Sequence, residues 1–73
     1  MWEINREQFR SNLLHYMGGR TQAEVSEKVG VHVTVLGKWV CGGGLPSLPN
    51  TLKLAAVLGC RVEDLTRGVL VWQ

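Results

Sequence analysis

The sequence predicts an all-α fold, a compact bundle of five short helices with a strand-like segment at each end. Three observations point there. Apolar residues recur at helical spacing in successive stretches, glycines stand where stretches must stop (Gly18, Gly30, Gly59), and Thr21 and Ser47 stand where helices begin. The chain has 73 residues, room for one core and hence one domain, 1–73. It is 45% apolar and 19% charged, the balance of a globular chain rather than a disordered one.

Residues 1–5 open with Trp2 and Ile4 in alternation, a strand-like pattern. Helix 1 is expected from about Glu7 to Met17, with Phe9, Leu13, Leu14 and Met17 on one face and Gly18-Gly19 closing it. Thr21-Gln-Ala-Glu24 has the form of a capping box, in which the threonine hydroxyl accepts from the Glu24 amide and the carboxylate reaches back. Helix 2 then carries Val25 and Val29 inward and stops at Gly30, which suits the positive φ of a tight turn.

The run "GVHVTVLGKWVCGGG", Gly30 to Gly44, is locally ambiguous. Val31, Val33 and Val35 alternate with His32 and Thr34, as a half-buried strand would. A strand would leave Leu36 and Trp39 without a register, whereas a helix turns Val31, Leu36 and Trp39 toward Val25 and Val29, with small Ser26 at the crossing. The propensity cost of coiling such residues is at most ~0.7 kcal/mol each. The helix is therefore expected, with His32, Val33, Thr34, Gly37, Lys38 and Cys41 outward. Two helices crossed about a tight turn, the second exposing its first turn, form a helix-turn-helix.

Pro46-Ser-Leu-Pro49 opens the fourth helix with Ser47 as N-cap. Leu48, Leu52, Ala55 and Leu58 are expected as its buried stripe, with Leu54 alongside, and Gly59 ends it. A short fifth helix, Val62 to about Thr66, places Glu63 and Asp64 where the helix dipole favours anions. Residues 68–73 read as a strand, with Val69 and Val71 on one side and Leu70 and Trp72 on the other.

"RTQAEVSEKVGVHVTVLGKW" followed by "GGGLPSLPNTLKLAAVLGCRVEDL" resembles the Cro/repressor (XRE-type) helix-turn-helix family. Thr21-Gln22, Val25-Ser26, Gly30-Val31, Leu36, Gly42, Pro46, Leu54-Ala55 and Leu58 carry the resemblance, which covers Arg20 to Leu65 plus helix 1. It implies a lambda-repressor-like five-helix bundle that binds double-stranded operator DNA, usually as a homodimer; the free thiols and the lack of a signal peptide or apolar span lead to the expectation of a cytoplasmic protein, nucleoid-associated and of prokaryotic or phage origin. The family often pairs an Arg near the end of helix 1 with a Glu late in helix 3; His15 and Val40 stand there, so neither charge is left without the other.

The outward residues of helix 3 depart from the Gln, Arg, Asn or Ser usual in the family. His32, Val33, Thr34, Gly37 and Lys38 are the candidates for base contact: valine and threonine methyls suit the thymine methyl, the Thr34 hydroxyl donates or accepts, and Lys38 reaches guanine or a phosphate. Arg20, Thr21, Gln22, Cys41, Gly43 and Asn50 are the candidates for phosphate contact, largely through backbone amides at helix starts and in the glycine loop.

Eight Lys/Arg against six Asp/Glu give a net charge of +2, mildly basic and compatible with a nucleic-acid partner. Catalysis finds no support, because the acidic residues are dispersed and no Ser or Cys has a His at hand. Cys41 and Cys60 match no metal-ligand spacing and are read as free thiols, with Cys60 in the core; no metal or cofactor is expected. Gly42–Gly44 lacks the Gly-Lys-Ser/Thr ending of a phosphate-binding loop. His15 is expected as a core residue of helix 1, and Trp39 as core rather than a stacking platform. "MWEINREQ" does not resemble a signal peptide, and no apolar run approaches the ~20 residues of a membrane span.

Trp2, Ile4, Leu70 and Trp72 are too many large apolar groups to leave wet on so small a chain. The two ends are expected to pair as a small antiparallel sheet that a second copy joins, with Trp2, Leu70 and Trp72 at the dimer interface. The leading expectation is a phage or mobile-element type repressor acting as a homodimer on a near-palindromic operator, with no membrane partner and no small-molecule effector evident. The alternative is a protein-interaction module on the same fold, antitoxin-like or anti-repressor, with a weakened DNA face.

Overall fold

In the computed structural model, which describes residues 1–73, the chain runs β1 (Trp2–Ile4), α1 (Arg6–Met17), α2 (Gln22–Val29), α3 (Val33–Val40), α4 (Leu48–Leu58), α5 (Val62–Thr66) and β2 (Leu70–Trp72). Local chemistry sets most of these boundaries. The Asn5 side chain caps α1 by accepting from the Gln8 amide at 3.0 Å. Only the first half of the box at Thr21 forms, the hydroxyl accepting from the Glu24 amide at 3.1 Å. Ser47 caps α4 with a 3.4 Å bond from the Asn50 amide. Gly30 ends α2 at φ 87°, a conformation that a Cβ disfavours.

The valine-rich run is helical, as the packing argument required. Leu36 and Trp39 are buried with Val25 and Val29, whereas Val31 sits half-buried at the rim. Ser26 is buried at the crossing, its hydroxyl donating to the Ala23 carbonyl at 3.0 Å. α2 packs on α3 and α4, while α1 packs on α3 and α5. The core joins Phe9, Leu13, Met17, Val25, Val29, Leu36, Trp39, Leu54, Ala55, Leu58, Leu65 and Val69.

Three expectations about faces are corrected. Leu48 and Leu52 are 67% and 52% exposed, and the buried stripe of α4 is Thr51, Leu54, Ala55 and Leu58. At ~100° per residue Leu52 lies roughly 160° around the helix from Leu54, so the two cannot both face the core. Thr51 enters the core without loss because its hydroxyl donates to the Ser47 carbonyl at 2.9 Å. Leu14 is exposed, since the inner face of α1 is Phe9, Leu13 and Met17. His15 is exposed rather than core: two residues from both Leu13 and Met17, it points away from them and lies edge-on to Tyr16.

Cys60 is half-buried against the core, and burial followed by the Asp64 charge pushes its thiol pKa up. The ends pair antiparallel, Trp2 opposite Trp72, Glu3 opposite Val71 and Ile4 opposite Leu70. A polar clamp that the sequence did not announce fixes this sheet on the bundle. The Asn12 amide nitrogen donates to the carbonyls of Leu65 and Arg67, both at 2.9 Å, and Asn12 accepts from Gln8 at 2.9 Å. No helix is long and apolar enough to cross a membrane.

Candidate nucleic-acid interface

The residues singled out on α3 share one exposed surface. His32, Val33, Thr34 and Lys38 are exposed and Gly37 is half-buried. His32 occupies the N-cap, its Nδ1 accepting from the Thr34 amide at 3.2 Å and lying 2.8 Å from the Thr34 hydroxyl. Lys38, one turn beyond Thr34, makes no ion pair. The start of α2 lies against this helix: a Cβ built on Gly37 would stand 3.6 Å from Gln22 Oε1. That is ordinary van der Waals distance, so Gln22 borders the outward row of α3 at Gly37.

Among the phosphate candidates the structure separates open groups from occupied ones. Arg20 is exposed and has no carboxylate partner. The Thr21 hydroxyl is engaged as a cap, but the amides of Gln22 and Ala23, in the first turn of α2, have no acceptor within the chain. The glycine loop behaves differently. The Gly42 amide donates to the Trp39 carbonyl at 3.4 Å, the Gly43 amide to the Lys38 carbonyl at 2.8 Å, and the Cys41 thiol to that same carbonyl at 3.4 Å. These groups satisfy the last carbonyls of α3, which have no partner inside the helix. The donors expected at Cys41 and Gly43 are therefore turned inward, and Gly44 and Leu45 carry the open amides of this loop. Asn50 is half-buried, with its amide bonded to Ser47.

Sequence reasoning missed two neighbours of the loop. A Cβ on Gly42 would meet Glu7 Oε2 at 3.0 Å and Arg10 Cδ at 3.8 Å, so the start of α1 borders the C-terminal end of α3. Glu7 and Arg10 also approach each other at 3.8 Å. Their i, i+3 spacing was visible, but nothing in it pointed to the loop.

Trp2, Leu70 and Trp72 meet on the outer face of the two-stranded sheet. Trp2 and Trp72 are 63% and 65% exposed, with ring centroids 5.1 Å apart in an edge-to-face arrangement. The Asn5 amide donates to the Val69 carbonyl and the Gln73 amide to the Met1 carbonyl, at 2.6 and 2.7 Å. Bonded and non-bonded pairs alternate in an antiparallel ladder, so Glu3 and Val71 form the bonded pair between them. The backbone groups of Trp2 and Ile4, and of Leu70 and Trp72, consequently point to the two open edges.

Residues 17–65, well over half of the chain, match a family described as helix-turn-helix. Over 46 residues the chain is 33% identical to the cryptic phage CTXphi transcriptional repressor RstR of Vibrio cholerae serotype O1. That stretch is 63% of this chain and 41% of the relative, so the match spans under half of the relative's length. In fold, the chain is similar to the solution structure of the SOS-response transcriptional repressor LexA from Eubacterium rectale, with a TM-score of 0.80 and 22% identity over 93% of this chain and 77% of that one.

Proposed function

The chain belongs to the XRE-type helix-turn-helix family of DNA-binding transcriptional regulators, and on that premise we propose that it is a sequence-specific repressor that occupies a near-palindromic operator as a homodimer in the cytoplasm. The observation that carries the reading is the single exposed surface made by His32, Val33, Thr34 and Lys38 with Gln22 beside Gly37. In this reading α3 lies in the major groove, with Thr34 and Lys38 on base edges and the methyls of Val33 and Thr34 against thymine. Arg20, the first-turn amides of α2 and the amides of Gly44 and Leu45 hold flanking phosphates. Residues 1–73 act as one DNA-binding domain.

The dimer in this reading forms along β2. A two-fold axis at Val71 would set Leu70 of one copy against Trp72 of the other, exchanging their free N–H and C=O groups and placing Val71 against itself. The same operation on β1 would place Glu3 opposite Glu3, a like-charge pair that disfavours it. Two recognition helices would then read half-sites ~34 Å apart. The second reading, a protein-interaction module, is favoured by the inward-turned donors of the glycine loop and by the exposed leucines of α4.

In vitro selection of random duplexes by the purified protein tests the proposal. Two similar half-sites in opposed orientation, centred about one helical turn apart, are expected. Recovery of unrelated sequences, with a partner protein captured instead, would favour the interaction module.

A further inference from the structure

The cap of the recognition helix constrains what that helix can read. An imidazole nitrogen that accepts an amide hydrogen carries none of its own. In the tautomer with the ring hydrogen on Nε2, His32 Nδ1 accepts from the Thr34 amide at 3.2 Å. In that tautomer the Thr34 hydroxyl, 2.8 Å from the same Nδ1, is the donor of the short contact and shares the one lone pair with the amide. Its one hydrogen is directed at the histidine, and only lone pairs of Oγ1 remain for a partner. An unrestrained threonine hydroxyl rotates to donate or accept as needed; this one has lost the first role.

We propose that His32 is a positioning residue that makes Thr34 an obligate acceptor, so that the recognition helix selects the adenine of an A·T pair. The inference rests on the DNA-binding reading above. In the major groove only adenine N6 and cytosine N4 bring hydrogens to such an oxygen, whereas thymine O4 and guanine O6 and N7 would set lone pair against lone pair. The methyls choose between the two amines. Val33 is exposed next to Thr34, and the thymine methyl that would receive their methyl groups belongs to an A·T pair and has no counterpart in G·C. The exposed Nε2–H of His32 adds a donor suited to adenine N7 or to a phosphate oxygen.

The test is selection from randomised duplexes with the full chain and the variants Thr34→Ser, Thr34→Val and His32→Ser. The wild type is expected to enrich adenine at one position in each half-site, and Thr34→Ser, which keeps the hydroxyl, to retain that preference. Thr34→Val, of nearly the same shape but without the oxygen, should lose about fivefold of it, the lower end of what a good base contact provides. His32→Ser can still cap the helix but offers no nitrogen to Thr34; it should admit guanine and thymine at that position while other positions hold. Should His32→Ser fail to fold, the two Thr34 variants carry the test. Unchanged preference in Thr34→Val or in a folded His32→Ser would overturn the proposal, as would a wild-type preference for guanine or thymine at the position Thr34 controls. A wild type that enriches no sequence, and whose binding does not weaken with salt, would instead remove the DNA-binding premise.

Discussion

Replacing Trp72 by alanine should separate the dimer from the fold. The Trp72 side chain is 65% exposed in the single copy. Taking a tryptophan as roughly 250 Å², about 160 Å² is wet, and a neighbouring strand that covers half of it removes about 80 Å² per copy. At ~25 cal/mol per Å² that is about 2 kcal/mol per copy and about 4 kcal/mol per dimer, close to a thousandfold in dissociation constant. Within one copy the loss is smaller. The edge-to-face contact with Trp2 is worth about 1 kcal/mol, so the monomer should stay folded. Sedimentation equilibrium across micromolar concentrations is the assay, with thermal unfolding alongside. Wild type is expected to dimerise and Trp72→Ala to sediment as a folded monomer. Glu3→Lys should dimerise as wild type, because β1 lies at the outer edge of the joined sheet. A monomeric wild type, or a Trp72→Ala chain that dimerises as tightly, would refute the reasoning.

Arg20 is the unpaired cation assigned to phosphate, giving roughly two per dimer and a log–log salt slope near −1.8, about 12-fold in affinity between 50 and 200 mM salt. A slope near zero in a titration series would show that phosphates are not neutralised by this face. Gly30→Ala should destabilise the chain by about 1 kcal/mol in urea unfolding. No atom lies within 4 Å of the added Cβ, so the cost is the left-handed conformation at φ 87° alone, partly offset by a less mobile unfolded chain. The two thiols should alkylate at different rates at pH 8, exposed Cys41 first. Cys60 is delayed because burial and then Asp64 raise its pKa, which lowers its thiolate fraction. The unfolded chain releases the Cys60 proton at lower pH than the folded one, so this contribution to stability is intact below the ordinary thiol range and declines as pH climbs through the raised value. Equal alkylation rates by mass spectrometry would contradict the assigned environment.

Features that a residue and its close neighbours settle are legible in the sequence alone. Thr21 and Ser47 begin helices because their oxygens reach amides three residues on, and Gly30 ends one because it tolerates a positive φ. The valine-rich run was recoverable as a helix because Leu36 and Trp39 needed a common face with Val25 and Val29. The pairing of the ends followed from alternation, though Asn12, which clamps the connection to β2, looked like any polar residue of α1.

What only the tertiary structure decided is rotation and direction. Leu48, Leu52 and Thr51 lie within one turn and a half of α4, and the sequence determined that this segment is an amphipathic helix. Which of them faces inward depends on how the helix rolls against α2 and α5, a choice made by the whole core at once. The donors of Gly43 and Thr34 are decided closer at hand, by partners five and two residues away. Their chemistry is written in the chain, but whether each hydrogen points to solvent or to a neighbour depends on where the Lys38 carbonyl and the His32 ring come to rest. Local propensity acts over a few covalent bonds, whereas the roll of α4 is set by contacts with α2 and α5, segments apart from it in sequence.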